Sequence, residues 1–228
     1  LNTQYFEFNP GKITPIDAES GINERQLDKK RAIESDLYFD VDQKLSEAIT
    51  VNYGLRYSLF CRFGPQNVSI YDNNQAVVFN EEFGIYEKAI PTGIKSYKSN
   101  EVIAQFGNFE PRVSISYSLN ENQSIKGSYN RMAQYLHLIS NTSSPTPLDI
   151  WSPSDDCFKP QLLDQFAVGY FRNFKDDQYS VEIETSYKKA TNTVNYIDGS
   201  ELVGNNNLEQ IILNGRSRAY GIEFLLRK

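Results

Sequence analysis

The stretch from Phe109 to Arg131, FEPRVSISYSLNENQSIKGSYNR, reads as two strands folded back on a tight polar turn. In the first arm Phe109, Pro111, Val113, Ile115, Tyr117 and Leu119 share one face, and Glu110, Arg112, Ser114, Ser116 and Ser118 share the other, because successive strand side chains point opposite ways. The turn Asn120 to Gln123 is short and polar, and the return arm sets Ile125 and Tyr129 against Ser124, Lys126, Ser128 and Asn130. A soluble hairpin with one buried face would show the same alternation, so the choice rests on the arms around it.

Working outward, the same period recurs. Leu1 to Asn9 reads as a strand stopped by Pro10 and Gly11. A polar connection of about twenty residues follows and ends in the run Asp28, Lys29, Lys30, Arg31, which reads as a solvated loop face. From Ala32 to Leu45, Ile33, Leu37, Phe39 and Val41 oppose Glu34, Asp36, Asp40 and Asp42. Ala48 to Cys61 gives the cleanest alternation, with Ile49, Val51, Tyr53, Leu55, Tyr57 and Leu59 opposing Thr50, Asn52, Gly54, Arg56 and Ser58. It runs for about fourteen residues, more than twice the usual soluble strand.

About forty irregular residues, Arg62 to Glu101, precede the central hairpin. After it, His137 to Gln161 forms a second long connection, in which Pro145, Pro147, Pro153 and Pro160 are expected to exclude both helix and central strand. Strands are expected at Leu162 to Phe174 and Tyr179 to Thr191, joined by the tight turn Lys175 to Asp177. A third long connection covers Asn192 to Gly215, and the chain closes on Arg216 to Lys228, where Tyr220, Ile222, Phe224 and Leu226 oppose Ser217, Ala219, Gly221 and Glu223.

The connections therefore alternate between long and short. A soluble sandwich has no reason to sort them to opposite ends, whereas an outer-membrane barrel has short periplasmic turns and long external loops. The arms are long enough to cross an apolar band at a tilt, for which about 9 to 11 residues suffice. Small and charged residues on the polar face (Gly54, Ser114, Ser116, Gly169 and Gly221, with Arg56, Arg112, Lys126, Glu182 and Glu223) suit a watery or plugged lumen. Tyr53, Tyr57, Tyr117, Tyr129, Tyr170, Tyr187 and Tyr220 lie on the apolar face, some of them placed to form interface girdles. Arg131 shares that parity, and a mid-bilayer Arg costs about 2 to 4 kcal/mol, so it is expected at the outer rim or after a bulge. The expected fold is all-β, an antiparallel transmembrane β-barrel segment of about eight strands with short periplasmic turns and long extracellular loops.

Composition agrees. The chain has 228 residues, 23% of them charged, and no apolar run long enough for a helical span. A net charge of -6, with no Lys/Arg run interleaved with aromatics, argues against a nucleic-acid surface. Cys61 and Cys157 fit no metal spacing and could be two free thiols or one disulfide. Leu1 carries no signal-peptide pattern, so the sequence is expected to be an excerpt or a processed chain.

The segments NYGLRYS (Asn52 to Ser58), FEPRVSISY (Phe109 to Tyr117), SIKGSYNRMAQYLHLISNTSSPTPLDIWSPS (Ser124 to Ser154), KPQLLDQFAVGYFRNF (Lys159 to Phe174) and GRSRAYGIEFLLRK (Gly215 to Lys228) resemble the barrel of TonB-dependent outer-membrane receptors of Gram-negative bacteria. The resemblance implies a barrel of about twenty-two antiparallel strands, plugged by an N-terminal domain and importing scarce nutrients with energy delivered by TonB. Residues 1–228 would then be part of one barrel domain, a middle-to-late portion with no plug domain in it. Its outer strands would pair with the remaining barrel of the same receptor, since unpaired edges are unstable in a bilayer. The implied partners are outer-membrane lipid, that barrel and plug, TonB through the absent N-terminal part, and a small nutrient ligand.

No covalent chemistry is expected. His137, the only histidine, lies near Ser140 and Asp149, but no nucleophile elbow is present and a proline-rich loop would not fix their geometry. Asp72, Asp155 and Asp156 lack calcium-loop spacing, so neither a metal nor a cofactor is expected. The loop from Tyr135 to Pro160 is the expected place for ligand contact, with Tyr135, His137, Asp149 and Trp151 as candidates. The simpler reading, and the preferred one, is that Trp151 and its prolines merely fold the loop over the barrel mouth. A soluble or surface-anchored β-sandwich that binds carbohydrate is the alternative to a nutrient transporter.

Overall fold

The structure is a computed structural model that describes residues 1–15, 17, 24–139, 150–175, 178–200, 202 and 205–228. Strand β1 (Asn2–Phe8) is followed by the two-residue strands β2 (Lys12–Ile13) and β3 (Arg25–Gln26), then by the long arms β4 (Lys30–Lys44) and β5 (Ile49–Phe63). An outer excursion holds β6 (Gln66–Ile70), β7 (Val77–Asn80), β8 (Ile85–Lys88) and β9 (Gly93–Tyr97). Arms β10 (Val102–Asn120) and β11 (Gln123–Gln134) come next, followed by the small hairpin β12 (Leu136–Ile139) and β13 (Ile150–Pro153). Arms β14 (Gln161–Phe174), β15 (Tyr179–Tyr196) and β16 (Ile212–Arg227) complete the chain.

Eight of these strands form one antiparallel sheet in the order β1, β4, β5, β10, β11, β14, β15, β16. Each arm pairs with its neighbours in sequence, as short turns and returning loops require. The strand ends bordering 45–48, 121–122 and 175–178 lie at one end of the sheet, and those bordering 9–29, 64–101, 135–160 and 197–211 lie at the other. The sheet is an open wall whose edges are β1 and β16.

Alternation sorts the two faces as the sequence predicts. Phe39 (55% exposed), Val113 (42%) and Ile115 (46%) stand outward with Tyr53, Tyr117, Phe166 and Tyr220, a continuous apolar surface that no second sheet among the described residues covers. That finding removes the β-sandwich, in which a facing sheet would bury this surface. The opposite face carries Ser58, Arg62, Asp36 and Glu110, all buried. Arg131 sits in an unshifted stretch of the pairing between β11 and β14, so no bulge turns it away. Instead it stands opposite Asp164, with Nε 3.9 Å from Oδ1, and the Tyr129 hydroxyl donates to the same carboxylate at 2.7 Å.

The structure corrects the expected boundaries outside the apolar band. Lys30 and Arg31 are not a loop face but the first residues of β4, paired with Phe8 and Glu7. Arms β15 and β16 extend into the connection expected from Asn192 to Gly215, pairing Thr193 to Tyr196 with Ile212 to Gly215 beyond a register shift. The supposedly irregular Arg62 to Glu101 holds two hairpins, β6 with β9 and β7 with β8. The proline-rich connection holds a third, β12 with β13; Pro153 is tolerated at the end of a two-stranded ribbon, where it breaks no central ladder. Cys61 and Cys157 are free thiols.

Candidate functional site

Two features occupy the inward face at the end where the long connections gather. The first is a polar network in the wall. Arg56 on β5 places Nη2 2.9 Å from Glu34 Oε1 and 2.8 Å from Asp36 Oδ2, both on β4, with Nη1 3.7 Å from Glu110 Oε2 on β10. Ser58 Oγ donates to Glu110 at 2.6 Å and lies 2.6 Å from the Tyr135 hydroxyl, and Asn108 Nδ2 donates to that hydroxyl at 2.8 Å. Buried charges persist only when paired and hydrogen-bonded, and here two strands, β4 and β10, supply the partners of one guanidinium on β5.

The second feature is the segment formed by 135–139 and 150–158. It leaves β11 and turns onto the inward face instead of continuing the wall. Tyr135, 2% exposed, stacks on Phe60 of β5 with ring centroids 4.8 Å apart. Ser154 N–H donates to the Tyr135 carbonyl at 2.8 Å, and Lys30 Nζ on β4 donates to Ser152 Oγ at 3.0 Å. Asp155 forms an ion pair with Arg62, which is 2% exposed and also donates to Gln66 Oε1 at 2.6 Å. The segment thus spans from β11 over β10 to β5 and β4.

Beside it lies a cleft of about 130 Å³, walled by Lys30, Arg62, Tyr71, Ser152, Asp155 and Glu209 among others. Tyr71 donates to Glu209 Oε1 at 3.1 Å, and burial raises both groups above their ordinary titration ranges. Burial, with Asp155 and Glu209 nearby, pushes the Cys157 thiol up to about 12, which keeps it protonated and poorly nucleophilic. Connections from distant parts of the chain meet here: Asn206 accepts from Asp28 N–H at 3.1 Å and donates to the Gln26 carbonyl at 2.9 Å.

Of the four residues singled out in the sequence, Tyr135 and His137 are brought together inside this segment, each 2% exposed. His137 Nε2 lies 3.0 Å from Ser154 Oγ, and its ring packs 4.4 Å from that of Phe158. Burial lowers its pKa to about 4, so it is neutral at physiological pH. Trp151, 48% exposed, projects from β13 opposite Leu138. Asp149, and Ser140 with it, lies outside the described residues. Lys30, Arg62 and Asp155 were not singled out as site residues. Parity does place Arg62 on the inward face, but its partner lies 93 residues away in a proline-rich connection. Among the described residues no cluster of His, Cys, Asp and Glu could hold a metal ion.

Comparison with known proteins follows the same lines. A family model described as an outer membrane beta barrel domain matches residues 8–150. No curated protein matches the chain. Among solved structures, the hemophore receptor HasR of Serratia marcescens, determined as a double mutant with its hemophore HasA and heme, superposes with a TM-score of 0.56 at 15% identity. That match covers 99% of this chain and 38% of HasR. The alcaligin outer-membrane receptor FauA of Bordetella pertussis superposes with a TM-score of 0.47 at 12% identity, over 87% of this chain and 27% of FauA. The chain thus spans well under half the length of either receptor.

Proposed function

The chain belongs to the outer membrane beta barrel domain family and is a wall segment of a barrel in the Gram-negative outer membrane, and on that premise we propose that it is part of a TonB-dependent receptor that imports a scarce nutrient. The observation that carries this reading is the division of labour in the sheet. One face is apolar and uncovered, the other is a charged wall, and the long connections converge over the inward side at a single end. An inward face built of ion pairs and hydroxyls suits a water-filled or plugged lumen and a polar cargo.

In this reading residues 1–228 form part of one barrel domain, with the plug and the TonB-contacting segment contributed from elsewhere in the receptor. β1 and β16 pair with the rest of the same barrel, because unpaired strand edges are untenable in a bilayer. Cargo is held by non-covalent contacts at the outer mouth, where exposed Trp151 offers a stacking surface. Tyr135 and His137 shape the site by holding its segment in place, and Asp149 belongs to the same connection. The test is uptake by cells expressing the intact receptor. Cargo accumulation should stop when TonB is deleted and fall when 135–160 is exchanged for an unrelated loop. Uptake indifferent to both changes would overturn the assignment.

A further inference from the structure

The segment crossing the inward face is fastened differently on its two sides. Toward β15 and β16 it is held by oil: Ile139 and Phe158 pack into one buried cluster with Ile197, Leu202, Leu208, Ile211 and Ile212. Asn214 reinforces that side by accepting from Lys159 N–H at 3.2 Å and donating to the Cys157 carbonyl at 2.9 Å. Toward β4 and β5 the fastening of 150–158 is polar, consisting of the ion pair between Asp155 and Arg62 and the bond from Lys30 to Ser152.

We infer that residues 150–158 form a strap, hinged on the Phe158 cluster and latched to the wall through Arg62 and Lys30, that opens by parting from β12, its third attachment, while the barrel arms stay paired. An apolar cluster resists water, whereas a polar bond can be exchanged for another at little net cost, so the two sides differ in how readily they release. The latch groups also line the 130 Å³ cleft. Any polar cargo entering there competes with Asp155 and Ser152 for the same donors, so occupancy of the cleft and closure of the strap oppose each other. Asp155 is suited to a hinged role because its other oxygen, Oδ1, accepts from the N–H groups of Cys157 and Phe158 at 3.0 and 2.8 Å, giving the strap its own internal turn. In one respect this rests on the receptor reading, since a cargo gives the opening its purpose; the opening itself is measurable without any cargo.

The test is amide hydrogen exchange on the intact, membrane-reconstituted protein, compared with Asp155→Asn. That substitution keeps an oxygen for the internal turn and removes the charge that Arg62 meets. Exchange in 150–158 should accelerate about ten-fold or more, the scale of a lost charge-assisted bond, with β4, β5 and β10 unchanged inside the membrane. Ser152→Ala, which frees only Lys30, should give a smaller change in the same residues and serves if Asp155→Asn fails to fold. Phe158→Ala should instead accelerate 197–211 together with the strap. Unchanged exchange in 150–158 for both latch variants, or equal acceleration of the strap and the membrane arms, would overturn the inference. The exchange rates are read without any uptake assay, so a failed cargo assignment leaves the test standing.

Discussion

The rings of Tyr135 and Phe60 lie face to face, their planes 1° from parallel and their centroids 4.8 Å apart, although 75 residues of chain separate them. Ala32 completes this buried cluster, with Phe6, Phe106, Ala133 and Leu136 around it. The stack is therefore an apolar plug at the rim of an otherwise polar wall, and the Tyr135 hydroxyl ties it to Ser58 and Asn108.

Tyr135→Ala should destabilise the outer rim by about 3 to 5 kcal/mol, since it deletes a fully buried ring that the neighbours cannot replace. Tyr135→Phe should cost about 1 to 2 kcal/mol, because the ring remains and only the hydroxyl contacts are lost. Urea titration of the folded, heat-modifiable gel band in detergent measures both, and equal losses would show that the stack contributes nothing beyond its hydrogen bonds.

His137 sets a pH dependence outside the membrane. Its pKa is about 4 in the folded protein and about 6.5 when the segment unfolds, so the unfolded state binds the extra proton first. The stabilisation from a neutral imidazole is whole above about pH 6.5 and falls as pH drops toward about 4, by roughly 3 kcal/mol in all. Exchange protection at β12 and β13 should decline across that window in the native chain and stay level in His137→Gln.

The two faces of β10 should respond oppositely to charge. Ile115→Lys puts an ammonium on the uncovered apolar face and should cost about 2 to 4 kcal/mol of folding into lipid vesicles. Ser116→Lys, one residue on and pointing inward, should cost less than about 1 kcal/mol. Similar losses at both positions would contradict the assignment of faces.

Gly54 sits where β4 approaches too closely for a side chain, since a Cβ there would lie 2.6 Å from the Phe39 carbonyl oxygen. Backbone cannot swing aside as a side-chain tip can. Gly54→Ala should therefore destabilise the pairing of β4 and β5 by about 1 to 3 kcal/mol, read as faster exchange along both arms. Gly221→Ala, which meets nothing within 4 Å in this wall segment, is the control and should be silent unless further barrel strands crowd it.

Much of the wall was legible because a membrane strand has one rule to obey, and Ile49 to Leu59 or Phe109 to Leu119 obey it without exception. The rule lapses outside the lipid. Val77 to Asn80 and Ile85 to Lys88 are four-residue strands joined by Glu81 to Gly84, too short for a period of two to stand out from chance. Lys30 and Arg31 read as solvated charge because their partners, Ser152 and Glu7, come from other elements. The site was legible only as a loop. Residue type points to Tyr135 and His137 as ligand contacts, but only long-range packing on Phe60 and Phe158 shows that both are buried.

Strand β14 keeps an unbroken register with both neighbours, from Gln161 to Arg172 against β11 and from Leu162 to Phe174 against β15. A single inserted or deleted residue there would turn every later side chain of the arm inside out, setting Gln165 toward lipid and Phe166 and Val168 toward the lumen. The wall therefore tolerates substitution within its arms far better than a change in their length, and length can vary freely only in the connections between them.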